Sequence, residues 1–340
     1  MVSADYRFSY DYPERLPVAL IGAGDHSAHY IVPCLRYLPI DLVAVADPDR
    51  RRGMQVAKQC GAQRFYPDHE TLLEKEHLRA VIVSLPLAAD GTVPYVDVAA
   101  AALAGGVHAW IDAPAAGLAS QVSKQYTDAA LRGRAYLMAG YRRPFMPGYG
   151  ALKAALEGAK LKPTTYSLWC ALPSAASAAP LDLGTDLLGL LPHPIALLTD
   201  LFGEANSVQW LWHSDKQGLA MTLGYATGLV GQLQLSVRPA GAAATEALTV
   251  RTADRLWRVE DGLHLAQESG ATGGWTQQTA GVRAGASALE EAGYLGALRY
   301  FCEVLLAGAP VGRMNILHLL QVMNVQAALR SGRDRQWVTV

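Results

Sequence analysis

Residues Val18–Leu35 read VALIGAGDHSAHYIVPCL. An apolar run ends at Gly22, Gly24 follows at once, and a helical pattern begins directly afterwards. Gly22 permits a tight turn. Gly24 lets the backbone approach a pyrophosphate at the helix N-terminus, where free N–H groups and the macrodipole favour an anion. Ser27 stands where such a loop has its third glycine, and is small enough for close helix–strand packing. Asp47 lies 25 residues after Gly22, at the end of the next apolar run, DLVAVAD. A carboxylate there bonds a ribose 2′-hydroxyl. A two-glycine turn alone is common in ordinary strand–helix connections; strand, helix and Asp47 together mark a dinucleotide site. Asp47 would repel a 2′-phosphate and so favours NAD. Arg50, Arg51 and Arg52 follow closely, which leaves NADP open as an alternative.

The same alternation extends on both sides of this loop. Apolar runs at 17–22, 41–47, 80–85, 107–111 and 135–139, with a short segment at Arg64–Tyr66, are separated by helical stretches. These helices are expected from the loop to Leu38 and at Arg50–Gly61, Asp68–Glu76, Tyr95–Ala104 and Ser120–Arg132. Short apolar strands between helices are parallel β-α-β units with both sheet faces covered. After Gly140 the character changes. A helix at Gly148–Glu157 precedes a strand near Thr164–Ala171, a small-residue loop at Pro173–Pro180 and a long helix at about Leu183–Phe202. From Ser207 to Gln267 strand follows strand, as in an open antiparallel sheet. Gly270–Ser287 reads as loop, then come helices at Ala288–Leu306 and Asn315–Arg330 and a last strand at Gln336–Val340.

Composition narrows the function. A chain of 340 residues favours two domains, and 51% apolar against 17% charged residues excludes disorder. A net charge of -1 offers no basic excess for a phosphate backbone, so nucleic acid is not the expected partner. Four scattered cysteines without a CxxC read as reduced core thiols, with neither a disulfide framework nor a metal site. The opening MVSADYRFSYDYPERLP lacks the apolar core of a signal peptide, and no apolar run approaches 18 residues. The expectation is a soluble, cytoplasmic protein that does not engage membranes.

Taken together, these stretches resemble the Gfo/Idh/MocA family of NAD(P)-dependent oxidoreductases nearly end to end. The resemblance is carried by IGAG, VAVADPD, VIVSLP, GGVHAWIDAP, GYRRPFMPGYGALK, HPIALLTDLFG, and ALRYFCEVLLAGAP followed by LQVMNVQAALRSGR. It implies an α/β protein with a Rossmann doubly wound parallel sheet over residues 1–140, of which 1–14 form an extended tail. An α+β substrate and oligomerisation domain over 141–340 would carry a large open, mainly antiparallel sheet. Its closing helices are candidates to pack back on the first domain. The resemblance further implies a homodimer or homotetramer through that sheet. It also implies a cofactor site formed by Gly22, Gly24, His26, Ser27, Asp47, Arg50, Ser84, Leu85, Pro86, Asp112 and Pro114.

The chemistry departs from the family pattern. Its Glu-Lys-Pro motif reads Asp112, Ala113, Pro114 here, and alanine cannot assist a substrate proton as the lysine does. Asp112, at the carboxyl edge of the sheet, is either a site residue or a turn cap. Of the Asp-x-Gly-x-His motif, His193 is kept and Gly203 confirms the register, while Gly189 replaces the aspartate and Ala196 a later one. The connection after Pro86 is five residues longer, which puts Tyr95 where the family has a histidine. Tyr141, Arg142 and Arg143 follow the last Rossmann strand, where the family reads Asn-Arg-Arg-Phe. Arg143 matches the first arginine, while Arg142 and Pro144 replace the Asn and the second Arg; Arg143 either binds a substrate carboxylate or ties the two domains together. The expectation is hydride transfer to or from a small molecule, with an imine or conjugated substrate suiting the missing lysine. His193, Tyr95, Tyr141 or Asp112 would handle the proton. The alternative is a non-catalytic dinucleotide-binding regulator or scaffold of the same fold.

Overall fold

Six short segments pair in parallel, the central ones apolar and buried on both faces. In the computed structural model, which describes residues 11–86, 94–112, 120–173, 190–213, 218–238, 242–268, 274–277, 288–331 and 337–340, they are β1 (Leu16–Ile21), β2 (Ile40–Ala46), β3 (Arg64–Tyr66), β4 (Ala80–Val83), β5 (His108–Asp112) and β6 (Leu137–Gly140). Their order is β3-β2-β1-β4-β5-β6. The winding reverses between β1 and β4, and ligands of such sheets bind outside the carboxyl ends at that switch point. Gly22 follows β1 there at φ +98°, and a Cβ on it would lie 2.1 Å from the Ser84 carbonyl oxygen. Only glycine fits that position.

The helices between these strands carry local stop and start signals. After the loop a π-helical turn, Ser27–Ile31, runs into a short α1 (Val32–Leu35). Helix α2 (Arg50–Cys60) begins where Asp49 Oδ1 accepts the Arg52 N–H and ends at Gly61 in the left-handed conformation. Asp68 caps α3 (His69–Lys75) in the same way. Helices α4 (Tyr95–Ala104) and α5 (Ser120–Gly133) complete the crossovers.

Contacts divide the chain into two compact units. The first comprises Met1–Pro114, Leu118–Arg142 and Tyr294–Leu319; the second comprises Ala115–Gly117, Arg143–Gly293 and Leu320–Val340. The first unit thus recruits a segment from late in the sequence, whose Leu298 and Phe301 are fully buried and whose Met314 carbonyl accepts the Ala139 N–H at 2.7 Å. The continuous helix expected at Ala288–Leu306 is broken into α8 (Ala288–Glu291) and α9 (Tyr294–Leu306). Gly293 at φ +83° closes the first piece.

In the second unit, α6 (Pro147–Gly158) precedes β7 (Thr165–Pro173), and α7 (Pro192–Phe202) is the described part of the expected long helix. Its earlier residues, like the 174–180 loop, lie outside the described residues. The remaining strands are β8 (Ser207–Trp212), β9 (Gly218–Gly224), β10 (Val230–Arg238), β11 (Thr245–Arg251), β12 (Leu256–Glu260), β13 (His264–Glu268), β14 (Trp275–Gln277) and β15 (Val338–Thr339). They join β7 in a nine-stranded sheet, β14-β13-β12-β11-β7-β10-β9-β8-β15, antiparallel except for the β7–β10 pair. Strand β14 falls inside the stretch expected to be loop, where pairing with β13 overrides a weak local signal. Along β10, Gly231, Leu233 and Leu235 are buried while Val230, Gln232 and Gln234 face water. Helix α10 (Ile316–Ser331) spans the boundary between the two units in sequence.

A buried ion pair sits in this unit. Arg143 Nε lies 2.9 Å from Glu246 Oε2, both side chains about nine-tenths buried, and the Tyr149 hydroxyl donates to Glu246 Oε1 at 2.6 Å. Glu246→Ala would leave the guanidinium buried without its counter-charge, at a cost of ~3–5 kcal/mol. Denaturant unfolding should show that loss, and the double variant Arg143→Met/Glu246→Leu should recover most of it.

Candidate functional site

The glycine loop is held by the residue expected to read the ribose. Asp47 Oδ2 accepts the Ala23 N–H at 2.7 Å, and Oδ1 accepts the Asp49 N–H and an Arg52 Nη–H, each at 2.8 Å. Its side chain is almost fully buried, so the carboxylate is committed first to the loop, to its own turn and to α2. Gly24 turns the chain into the helix, with its carbonyl accepting the Ala28 N–H at 2.9 Å. A Cβ on Gly24 would meet no atom of the described residues within 4 Å, so it would project into open space at the helix start. The Ser27 hydroxyl is buried without a hydrogen-bond partner among the described residues.

A second group of side chains gathers at the carboxyl ends of β4 and β5. Ser84 Oγ donates to Asp112 Oδ2 at 2.9 Å, and His26 Nε2 lies 2.9 Å from the same oxygen. Asp112 Oδ1 is buried and finds no partner among the described residues. The hydrogen bond to Asp112 raises the His26 pKa above its ordinary value, against an opposing contribution from burial. The Tyr294 hydroxyl lies 3.4 Å from His26 Nε2, its ring stacks on Tyr30 with centroids 4.9 Å apart, and the Arg142 guanidinium sits 5.5 Å from the Tyr294 centroid. Burial pushes the Tyr294 hydroxyl pKa up. Sequence reasoning missed Tyr294 and Tyr30: Tyr294 is 268 residues from His26, and no local pattern links them.

Residues 16–141 match the family described as "Oxidoreductase family, NAD-binding Rossmann fold" (GFO_IDH_MocA). This stretch, rather than the whole chain, is similar to the Gfo/Idh/MocA Rossmann domain. Among solved structures it is similar to a dehydrogenase from Chromobacterium violaceum, at 17% identity and TM-score 0.79, with 94% of this chain and 95% of that one covered. A levoglucosan dehydrogenase in complex with NADH and levoglucosan matches at 16% identity and TM-score 0.79, covering 96% and 100%. An Agrobacterium radiobacter oxidoreductase in complex with NAD+, L-tartaric acid and magnesium matches at 17% identity and TM-score 0.72, covering 96% and 98%. No curated protein matches the sequence. At these identities the structural likeness speaks for the fold.

Residues 16–141 match an NAD-binding Rossmann fold, and the side chains and backbone around the glycine loop fit NAD. The side-chain-free position at Gly24, beside the helix start, is where a pyrophosphate meets backbone N–H groups. Leu85 is half-buried, Pro86 and Arg50 are exposed, and Pro114 and Ala113 lie outside the described residues, as does Gly189. Tyr141 is fully buried, its hydroxyl pKa pushed well up by burial, and Tyr95 is buried at the start of α4. Arg143 is engaged with Glu246 inside the second unit, and His193 is half-buried in the first turn of α7. Among the described residues no helix is long and apolar enough to cross a membrane, and no cluster of His, Cys, Asp and Glu could hold a metal ion. All four cysteines are free thiols.

Two substitutions test this assignment. Gly24→Val places a branched side chain in the pyrophosphate space without touching the protein, so NADH affinity by calorimetry should collapse while the melting temperature holds. Asp47→Ala orphans three donors, two of them backbone N–H groups, and should cost ~1–3 kcal/mol of stability. It should also weaken NADH binding and raise the NADPH:NADH affinity ratio, because the charge opposing a 2′-phosphate is gone.

Proposed function

We propose that the protein is an oxidoreductase that moves a hydride between NAD(H) and a small molecule. The observation that carries this is the intact glycine loop, tied by Asp47 and open at Gly24, in a domain of an NAD-binding oxidoreductase family. NAD supplies the hydride chemistry when bound; the chain has to bind, orient and provide for a proton. Ala113 in place of the family lysine favours a substrate whose own basicity helps, such as an imine or a conjugated system. His193, kept in register with Gly203, is assigned a substrate contact. The buried Glu246 pair supports a structural role for Arg143.

Two finer readings accompany this one. Arg52, half-exposed and bound to Asp47, offers positive charge beside the ribose end, which supports NADP as a second coenzyme. The open face of the nine-stranded sheet exposes Trp169, Leu211 and Val230 at 43%, 40% and 46%. Apolar exposure on a flat sheet face supports a homodimer or homotetramer formed there. Free thiols at all four cysteines suit a reducing cytoplasm.

Stopped-flow oxidation of NADH with a panel of cyclic imines, small ketones and ketoses tests the main reading. Turnover is the expected result; tight NADH binding with no turnover on any acceptor would favour a dinucleotide-binding regulator. His193→Asn should lower kcat/KM about 10²-fold through lost substrate alignment, leaving the NADH Kd unchanged.

A further inference from the structure

We propose that His26 and Asp112 form an acid–base dyad in which His26 Nδ1 delivers the proton to the substrate heteroatom, with Asp112 and Ser84 as its positioning residues. This inference rests on the oxidoreductase reading and names its missing proton source. Asp112 ionised can only accept, so the 2.9 Å contact requires the proton on His26 Nε2. The tautomer is thereby fixed, and Nδ1 is the nitrogen left to exchange a proton. It makes no hydrogen bond among the described residues, and half of the His26 side chain is exposed. Ser84 holds Asp112 Oδ2 from β4, so the carboxylate is fixed from two neighbouring strands.

The position of the pair matters as much as its geometry. His26 lies at the start of the helix that follows the glycine loop and Asp112 at the end of β5, both at the carboxyl edge of the sheet where the dinucleotide binds. Ala113, one residue beyond Asp112, is the position at which the family lysine is missing. The π-helical turn that starts at Ser27 opens the helix just after His26, a distortion frequent at functional sites. Reduction of a C=O or C=N bond adds a hydride to carbon, with NADH supplying the hydride and its electron pair. The heteroatom then needs one proton. The His26 imidazolium breaks its Nδ1–H bond, an O–H or N–H bond forms on the substrate, and the neutral ring keeps Nε2–H on Asp112. Water then restores the Nδ1 proton.

Several charged or titratable groups face the ring. Asp112 on β5 favours the imidazolium, and Arg142 after β6 opposes it. Tyr294 on α9 and Tyr30 on the helical turn bring hydroxyls and rings, while Asp25 and His29 lie on the same segment as His26. The balance lies above the ordinary histidine value, with the Asp112 hydrogen bond as its largest cause. The folded chain therefore holds this proton more tightly than the unfolded one. The resulting stabilisation is complete below about pH 6.5 and is lost as pH rises through the folded value.

The test uses the full chain with labelled histidine. Ring NMR signals, assigned by their loss in His26→Gln, are titrated with and without NADH. His26 should titrate above the ordinary histidine value, and Asp112→Asn should lower it. Turnover is followed across pH with 1-pyrroline, acetoin and L-sorbose as acceptors. Wild-type kcat/KM should fall as pH rises past the His26 value. His26→Gln should lose about 10²–10⁴-fold and the pH limb with it, a loss that saturating NADH does not restore. A His26 signal unmoved in Asp112→Asn, or His26→Gln with wild-type turnover and pH profile, would overturn the dyad alone. A wild type that binds NADH but reduces no acceptor would instead overturn the oxidoreductase reading, and proton delivery with it.

Discussion

One carboxylate organises the cofactor end of the first unit. Asp47 reaches from the end of β2 to the Ala23 N–H in the glycine loop, to the Asp49 N–H in its own turn, and to Arg52 on α2. The first donor comes from the loop after β1, 24 residues away in sequence, and the other two from the turn and helix that continue from β2 itself. A buried, charge-assisted set of hydrogen bonds of this kind is stronger than neutral ones and fixes direction as well as distance. The loop geometry that leaves Gly24 open depends on it, as does the placement of His26 two residues further on. The opposite wall is set by shape: Gly22 brings the chain against the Ser84 carbonyl, so the loop is clamped by sterics on one side and charge on the other.

Much of this was legible from residue patterns. The parallel strands of the first unit announce themselves as apolar runs closed by Gly, Pro or Asp, and helix α2 carries both its Asp49 start and its Gly61 stop. Asp47 was legible as a site residue, but its commitment to the loop was not, because a hydrogen bond to Ala23 spans 24 residues and leaves no local trace. The same holds for Tyr294 beside His26. The break at Gly293 was readable in principle, yet the apolar pattern runs through it and invites one long helix. Strand β14 has three exposed residues and exists only because β13 offers an edge. Local sequence leaves the aspartate at position 112 as either a site residue or a turn cap; the positions of Ser84 and His26 around its Oδ2 oxygen give it definite neighbours.

The second unit obeys different physics. Its strands alternate because one sheet face is buried and the other open, so side chains on successive residues separate cleanly. Gly231 marks where the buried side is fullest, since a Cβ there would fall 1.8 Å from the Tyr166 ring. Buried charge in this unit is paired: Asp200 with Lys153 at 3.2 Å, and Arg143 with Glu246, whose other oxygen accepts the Tyr149 hydroxyl. Buried charge of this kind contributes order more readily than net stability.

The late segment Tyr294–Leu319 belongs to the first unit, although more than 150 residues separate it from β6. Leu298 and Phe301 are fully buried there, and Met314 supplies the acceptor for Ala139. A chain emerging from the ribosome can therefore pair all six parallel strands well before the apolar surface these residues cover is sealed. For the duration of synthesis that surface is left to water or to chaperones. Dissection follows the same logic: a fragment cut after residue 142 carries every strand of the sheet but lacks part of its own core. The dinucleotide-binding half of this protein is contiguous in space and discontinuous in sequence, and its core closes only after the strands of the other unit from β7 to β14 have been made.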